Sequence, residues 1–457
     1  MMQFQNCSIT LVFTSSLVRI INSMRLGLKS RRGEGIQTVP LVYLTMFVLG
    51  IGQSIEFALM PMLGRELGLD KLVIDMPALG IYYYPKELAI TVLASVTALS
   101  FSLCTPFWGR LSDRYGRKPF IILGLVGYCL GVLLFSWVAW LGLKSLLTGF
   151  ALFLGLFVVR TFHSAIKSAA FPSSNAFIID SSTLLQRTKA LGGLAASSQI
   201  GSMCGPVLAF LVVLHFLAPL WLMGLITGLL AILLFVFLRP PQPHSHTLQH
   251  DLEMPQKRIV TPLRYLDVRY RAFVVLCFLT YTSMGMVQQT LGFYFQDTLN
   301  LTPIAAAKQY SLSMVVSSFA MLVAQLGIVQ RVKVHPTRFI VGGLPCLLLG
   351  FMLLGFAADW FSLLGGMGLF GFALGLIGPS LAAAASERVL ATEQGGLSGI
   401  MSSVSGLGFV VGPLIGGLVY SVKAEWTYFL AAALVFVLIL IIFIKNYFLN
   451  DKALAKV

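Results

Sequence analysis

Apolar residues run along this chain in long unbroken blocks. Blocks of 18 residues or more recur from one end to the other, and each is long enough to cross a hydrocarbon layer of roughly 30 Å at about 1.5 Å per helical residue. They predict helices near 40 to 63, 87 to 108, 119 to 143, 146 to 172, 190 to 214 and 216 to 238, then 272 to 295, 308 to 330, 338 to 357, 360 to 385, 396 to 420 and 426 to 447. Membrane-spanning β-strands would alternate apolar and polar residues over about ten positions. The segment 430 to 444, LAAALVFVLILIIFI, is instead apolar on every face. The fold class expected is therefore an all-α membrane protein of twelve transmembrane helices.

Composition agrees: 57% of the 457 residues are hydrophobic and 11% are charged, against roughly a quarter charged in soluble proteins. The net charge of +15 raises the question of a nucleic-acid partner, and the placement of the basic residues answers it. Lys and Arg crowd the loops on one side of the predicted bundle, as the positive-inside rule requires of cytoplasmic loops. No segment between the apolar blocks is long enough to fold as a basic soluble domain. The reading is a multi-pass protein of the cell inner (plasma) membrane with both termini in the cytoplasm, lipid around it, and no nucleic acid bound. Cys104, Cys129, Cys204, Cys277 and Cys346 fall in predicted helices and Cys7 in the N-terminal segment, without CxxC spacing, so they are read as packing residues.

Residues 1–38 have no signal-peptide order of features and read as a cytoplasmic extension, with Met24 an alternative start. Six helices follow in 39–238 and six more in 272–449, separated by a polar linker at 239–271 that opens RPPQPHSHTLQH; 450–457 is a short tail. His244, His246 and His250 in the linker lack an accompanying acid or Cys cluster and read as solvated rather than metal-binding. An internal repeat at an offset of 207 residues pairs Pro172 with Pro379, Asp180 with Glu387, Gly192 with Gly399, Gly201 with Gly408, Gly205 with Gly412 and Pro206 with Pro413. Two related six-helix halves follow, an arrangement that places a solute site near the bilayer midplane between them.

Between the second and third predicted helices stands GRLSDRYGRK, Gly109 to Lys118, and here the chain resembles the major facilitator superfamily. Gly109 and Gly116 suit a tight turn, while Arg114, Arg117 and their basic neighbours hold the segment on the cytoplasmic side. The resemblance implies a loop that latches helices at the cytoplasmic gate, with Asp113 its key acid. The counterpart after the eighth helix, QRVKVHPTRF, keeps basic charge but loses the acid and the glycines. Gly201, Gly205 and Pro206 on the fifth helix resemble the motif associated with antiporters of the superfamily, although Ala209 and Phe210 stand where the pattern has two more glycines. The second copy around Gly408, Gly412 and Pro413 keeps Gly416 and Gly417. Small residues allow close helix approach and proline allows a bend. VVRTFHSAIKSAAFP on the fourth helix resembles the family's arginine motif, with Arg160 on the arginine, His163 in place of the usual Gln and Ser164 in place of Gly.

Charges inside the predicted spans are few. A basic or acidic side chain at a helix centre costs roughly 2.5 to 3.5 kcal/mol on the insertion scale, so each marks a candidate function. Glu56 is the one acid placed well within a span, near Gln53. Arg160, His163 and Lys167 are spaced to share one face of the fourth helix. The expectation is that Glu56 carries a coupling proton and Arg160 senses its charge. Gln53, His163, Lys167, Gln288, Gln289 and Tyr294 are the candidate cargo contacts, and the basic groups favour anionic solutes. No HExxH helix, nucleophile elbow or nucleotide-binding GK loop occurs, which argues against an enzyme or an ATP-driven pump in this chain. What is expected is a monomeric, cofactor-free secondary transporter exporting a small organic molecule, such as a drug, a metabolite anion or a carboxylate siderophore, in exchange for protons. The alternatives are proton symport for uptake of an organic anion and, from another class, a membrane sensor or enzyme.

Overall fold

The computed structural model describes residues 39–76, 81–182, 187–239, 264–332, 334–390 and 393–445. The N-terminal segment with Cys7, the three linker histidines and the C-terminal tail lie outside the described residues. Among the described residues, twelve helices are long and apolar enough to cross a membrane. In the first half these are α1 Val39–Glu66, α2 Glu87–Tyr115, α3 Arg117–Leu143, α4 Gly149–Lys167 continued by Ala170–Asp180, α5 Arg187–Ala209 and α6 Ala218–Phe237. The second half has α7 Arg271–Thr298, α8 Pro303–Leu322, α9 Pro336–Gly355, α10 Trp360–Ser386, α11 Gln394–Val422 and α12 Ala424–Lys445. A small antiparallel pair of strands, β1 Ile74–Met76 and β2 Ile81–Tyr83, joins α1 to α2.

Local chemistry sets several helix starts. Thr302 accepts from the Ala305 amide ahead of Pro303, and His335 from the Thr337 amide ahead of Pro336. Asp359 and Ser362 form a capping box at α10. The lipid-facing surface is large and apolar, with Leu103, Phe162, Phe235 and Phe443 well exposed. Bilayer tails can cover it, whereas water would not.

The halves repeat one packing scheme: α1 lies on α5 as α7 lies on α11, α2 on α4 as α8 on α10, and α3 on α6 as α9 on α12. The paired glycines make the first of these contacts close. A Cβ on Gly201 would overlap the carbonyl of Phe47, and one on Gly205 the Ser54 side chain and the Ile51 carbonyl. Gly408 faces Tyr281 and Thr282 in the same way, and Gly412 faces Thr282 and Gly285. Between the halves, α2 packs on α11 and α5 on α8.

Three local readings change. Most of the Gly109 to Lys118 segment is helix: α2 runs to Tyr115, Gly116 alone turns with φ of 95°, and α3 starts at Arg117. Gly109 is inside α2 and makes no turn, because one glycine is enough to reverse the chain there. The fourth span runs on to Asp180 after a break at Ser168 and Ala169, beyond the predicted end at 172. The first and seventh helices extend to Glu66 and Thr298, about a turn past their apolar blocks, and those added turns carry Arg65 and Asp297.

Candidate functional site

Glu56 lies on α1 in a stretch of small and apolar residues, LGIGQSIEFA, that buries almost every neighbour. Its own exposure is 6%. A carboxylate so placed needs partners, and α4 supplies them one turn after another. Arg160 Nη1 donates to Glu56 Oε2 at 2.9 Å, and Lys167 Nζ donates to Oε2 at 3.2 Å and Oε1 at 3.3 Å. His163 Nε2 stands 4.0 Å from Oε1. The helical spacing of 160, 163 and 167 brings all three to one acid.

A shell of α3 shapes this cluster. Tyr128 sits edge-on to His163 at 4.9 Å, Lys167 lies 5.5 Å over the Tyr128 ring and Arg160 5.3 Å over Phe135. The Tyr128 hydroxyl occupies the space a Cβ on Gly52 would take, one turn before Glu56. Gly131 likewise leaves room for the His163 ring, and Gly124 brings α3 against the backbone at Ala170. These glycines were not singled out from the sequence. Only the packing identifies them, because nothing in their spacing separates a spacer from any other small residue.

Two hollows meet at this point between the halves. One, of about 740 Å³, is bounded by Gln53, Glu56, Tyr128, Arg160, Ser164 and Lys167 from the first half and by Gln289, Ser402, Ser403, Ser405, Phe409 and Pro413 from the second. The other, of about 560 Å³, shares Gln53, Phe57 and Phe409 with it and continues past Gln199, Tyr281, Met284, Gln288, Tyr310, Met314, Ser317, Met321 and Gln325. Phe57 and Phe409 stack between the lobes, ring centres 6.1 Å apart and planes 17° from parallel. The second lobe reaches the π-helical turn Val323–Val329 that ends the eighth span, a local irregularity frequent at functional sites. Glu56, Arg160 and Lys167 are the charged side chains bounding these lobes among the described residues.

Of the expected cargo contacts, Gln53, Lys167, Gln288 and Gln289 line a lobe. His163 does not: it lies behind the ion cluster against Tyr128 and Gly131. Tyr294 lines neither lobe, being packed on Tyr428 of α12 at 4.4 Å. It sits near the end of α7, on the face turned to its own half.

The two ends of the cavity differ. At the end where α1 meets α2, Arg65 pairs with Glu87 at 2.8 Å and with both oxygens of Asp297 on α7, and lies 4.8 Å over Phe293. Tyr420 of α11 donates to Asp297 Oδ2 at 2.6 Å, and Lys86 Nζ donates to the Ser421 carbonyl at 3.1 Å. Gly292 presses on Pro61 and Met62, and Gly417 on Thr91. This end is closed by contacts between the halves. Sequence reasoning missed Arg65, Glu87 and Asp297, since charges at helix ends look like ordinary loop charges until the halves are put together.

At the opposite end, which carries the Gly109 to Lys118 segment, the ion pairs stay within each half. Arg117 pairs with Asp113 and, at 3.0 Å, with Asp180 at the foot of α4, and also reaches Ser112. Arg114 stacks on Tyr115. In the second half His335 Nε2 meets Glu387 Oε2 at 2.8 Å. The foot of α9 is thus tied to the foot of α10 as α3 is to α4, despite the lost sequence pattern. Arg269 grips Asp267 and Glu393, and its hydrogen bonds hold both carboxyls below their ordinary range. Among the described residues, Arg65–Asp297 is the ion pair that crosses between the halves.

Fold, duplicated halves and a cavity between them define a transporter architecture, and comparison with known proteins names it. The model of the Major Facilitator Superfamily matches residues 42–345 and 309–456, so this chain belongs to that family. Among curated relatives, Multidrug resistance protein 2 of Bacillus subtilis (strain 168) is 24% identical over 385 residues, covering 80% of this chain and 88% of the relative. Quinolone resistance protein NorA of Staphylococcus aureus (strain COL) is 22% identical over 412 residues, covering 89% of this chain and 96% of the relative. The crystal structure of the human organic anion transporter MFSD10 (TETRAN) shares the fold at a TM-score of 0.62 and 17% identity, over 90% of this chain and 99% of that one. The protein is thus a multi-pass membrane transporter of this superfamily, with drug-resistance proteins among its relatives, and not an enzyme.

Proposed function

We propose that the protein exports a small organic molecule in exchange for protons, with Glu56 as the proton carrier. The observation that carries this reading is the buried Glu56, shared by Arg160 and Lys167 on the wall of a cavity between the halves. A carboxylate held by two cations draws α1 onto α4, and a proton arriving on it loosens that link. The cluster then has two states that differ in how α1 and α4 are tied, which is what coupling requires. Export is supported by the drug-resistance relatives and by the antiporter-like glycine and proline pattern at Gly201, Gly205 and Pro206. On the positive-inside rule the end carrying Arg110, Arg114, Arg117 and Lys118 is cytoplasmic. The arrangement is then inward-open, and Arg65 with Asp297 forms the outer seal.

A second reading, proton symport of an organic anion, is favoured by one feature: two cations face one acid in the cavity lining. Reconstituted protein in liposomes separates the two. With pH gradients imposed in either direction and drugs or carboxylates as cargo, exchange moves cargo against the proton flow and symport moves it with the flow. Cargo movement indifferent to both gradients, or unchanged in Glu56→Gln, contradicts proton coupling through this residue.

A further inference from the structure

The charge pattern of the cluster restricts what an exchanging cargo can be. Exchange demands that proton and cargo exclude one another, so the cargo must use the ionised form of Glu56. A plain cation does so, but it takes Glu56 away from Arg160 and Lys167. These are 5% and 7% exposed, and stripping a buried charge of its partner is strongly unfavourable. A plain anion binds Arg160 and Lys167 readily, but is then bound best when Glu56 is neutral. Proton and anion would ride together, which is symport.

A molecule carrying both charges meets both demands. Its cationic group takes Glu56 in competition with the proton, and its acid group takes the guanidinium and the ammonium that Glu56 gives up. The remaining surroundings fit an apolar body: beyond the Phe57 and Phe409 rings the second lobe is lined by Met284, Leu291, Met314, Met367 and Phe370 and has no charged lining among the described residues. We infer that the cargo is an amphipathic zwitterion, with its ammonium at Glu56, its carboxylate at Arg160 and Lys167, and its apolar part lodged past Phe57 and Phe409. The inference rests on the exchange reading above and assigns the chemical class of its cargo.

The groups facing Glu56 are Arg160, His163 and Lys167 from α4 and Tyr128 from α3. From α2, α5 and α7 the cavity lining brings no charged side chain among the described residues. The pH dependence of binding therefore reads this one cluster.

Three matched probes test it: Nε-dansyl-lysine, a zwitterion; its Nα-acetyl derivative, a monoanion; and its methylamide, a monocation below pH 7. Binding to the purified full chain is followed by dansyl fluorescence between pH 5.5 and 7.0. The zwitterion is expected to bind about tenfold more tightly than the methylamide, a difference of about 1.4 kcal/mol. Its affinity should rise with pH and its binding should release protons, while the acetyl derivative should weaken as pH rises. In Glu56→Gln the zwitterion should lose its pH dependence while the acetyl derivative still binds. A methylamide bound as tightly as the zwitterion, or a zwitterion that does not bind, overturns the inference, while exchange that still depends on Glu56 would leave the broader function standing. Tightest binding by the acetyl derivative, with uptake of protons, overturns both.

Discussion

Glu56 is the one acid of the buried cluster with Arg160 and Lys167, and the stability of its variants should follow from counting charges. Glu56→Gln leaves Arg160 and Lys167 close together in a nearly dry site with no acid between them. Arg160→Gln leaves Glu56 with Lys167, a neutral pair at 3.2 Å. Breaking a buried ion pair by removing one partner costs about 3 to 5 kcal/mol. The expected order is that Glu56→Gln lowers the melting temperature of the detergent-solubilised protein more than Arg160→Gln does, and a thermal-shift comparison checks it. The reverse order would mean that Lys167 carries no charge alongside Glu56. The convergence of Arg160, His163 and Lys167 was legible because helical periodicity is a local property and intramembrane charges are rare. The depth of each was not: whether a side chain lines the cavity or lies behind it depends on how α3 packs, and that places His163 behind the cavity wall. Tyr294 shows the same limit, since its partner Tyr428 is distant in sequence.

At the scale of helices, the paired glycines separate into two kinds. Gly201 lies against the Phe47 carbonyl of α1 and Gly408 against α7, whereas Gly192 and Gly399 have nothing within 4 Å of where a Cβ would stand. Gly201→Ala should therefore force α5 away from α1 and cost about 1 to 3 kcal/mol as an overpacked contact. Gly192→Ala should be neutral or stabilise by up to about 1 kcal/mol through helix propensity. Unfolding midpoints of the two variants, measured side by side, test the difference. Equal losses would show that the glycines serve the repeat's ancestry and not its packing. The spans themselves were readable because an apolar block can only be a helix in lipid. The helix ends were less so, as hydropathy fades before the helix does: α1 and α7 each continue by about a turn into polar sequence, where no transfer signal marks them. The Gly109 to Lys118 segment reads as a loop by its charge and is helix up to Tyr115, because Gly116 alone supplies the reversal.

For the whole molecule, the proposed exchange cycle has the Arg65–Asp297 seal and the central cluster act on one equilibrium between inward-open and outward-open arrangements. Arg65 joins Glu87 of its own half to Asp297 of the other, so removing the acid on α7 weakens the closed outer end without touching the cavity. Asp297→Asn should shift the population toward outward-open forms, seen as a longer distance between spin labels on the α1 and α7 ends. An unchanged distance distribution would show that Gly292 and Gly417 close that end without the charges. The duplicated halves were evident in sequence from the glycine and proline repeat, but this seal was not, since it forms only where two distant helix ends meet. In the proposed cycle one carboxyl group, Glu56, exchanges its proton for cargo. Proton release on cargo binding, recorded in weakly buffered solution with purified protein and a transported molecule, reads that exchange at its source. Release is expected from the native protein and none from Glu56→Gln at saturating cargo; equal release from both would rule out Glu56 as the proton carrier.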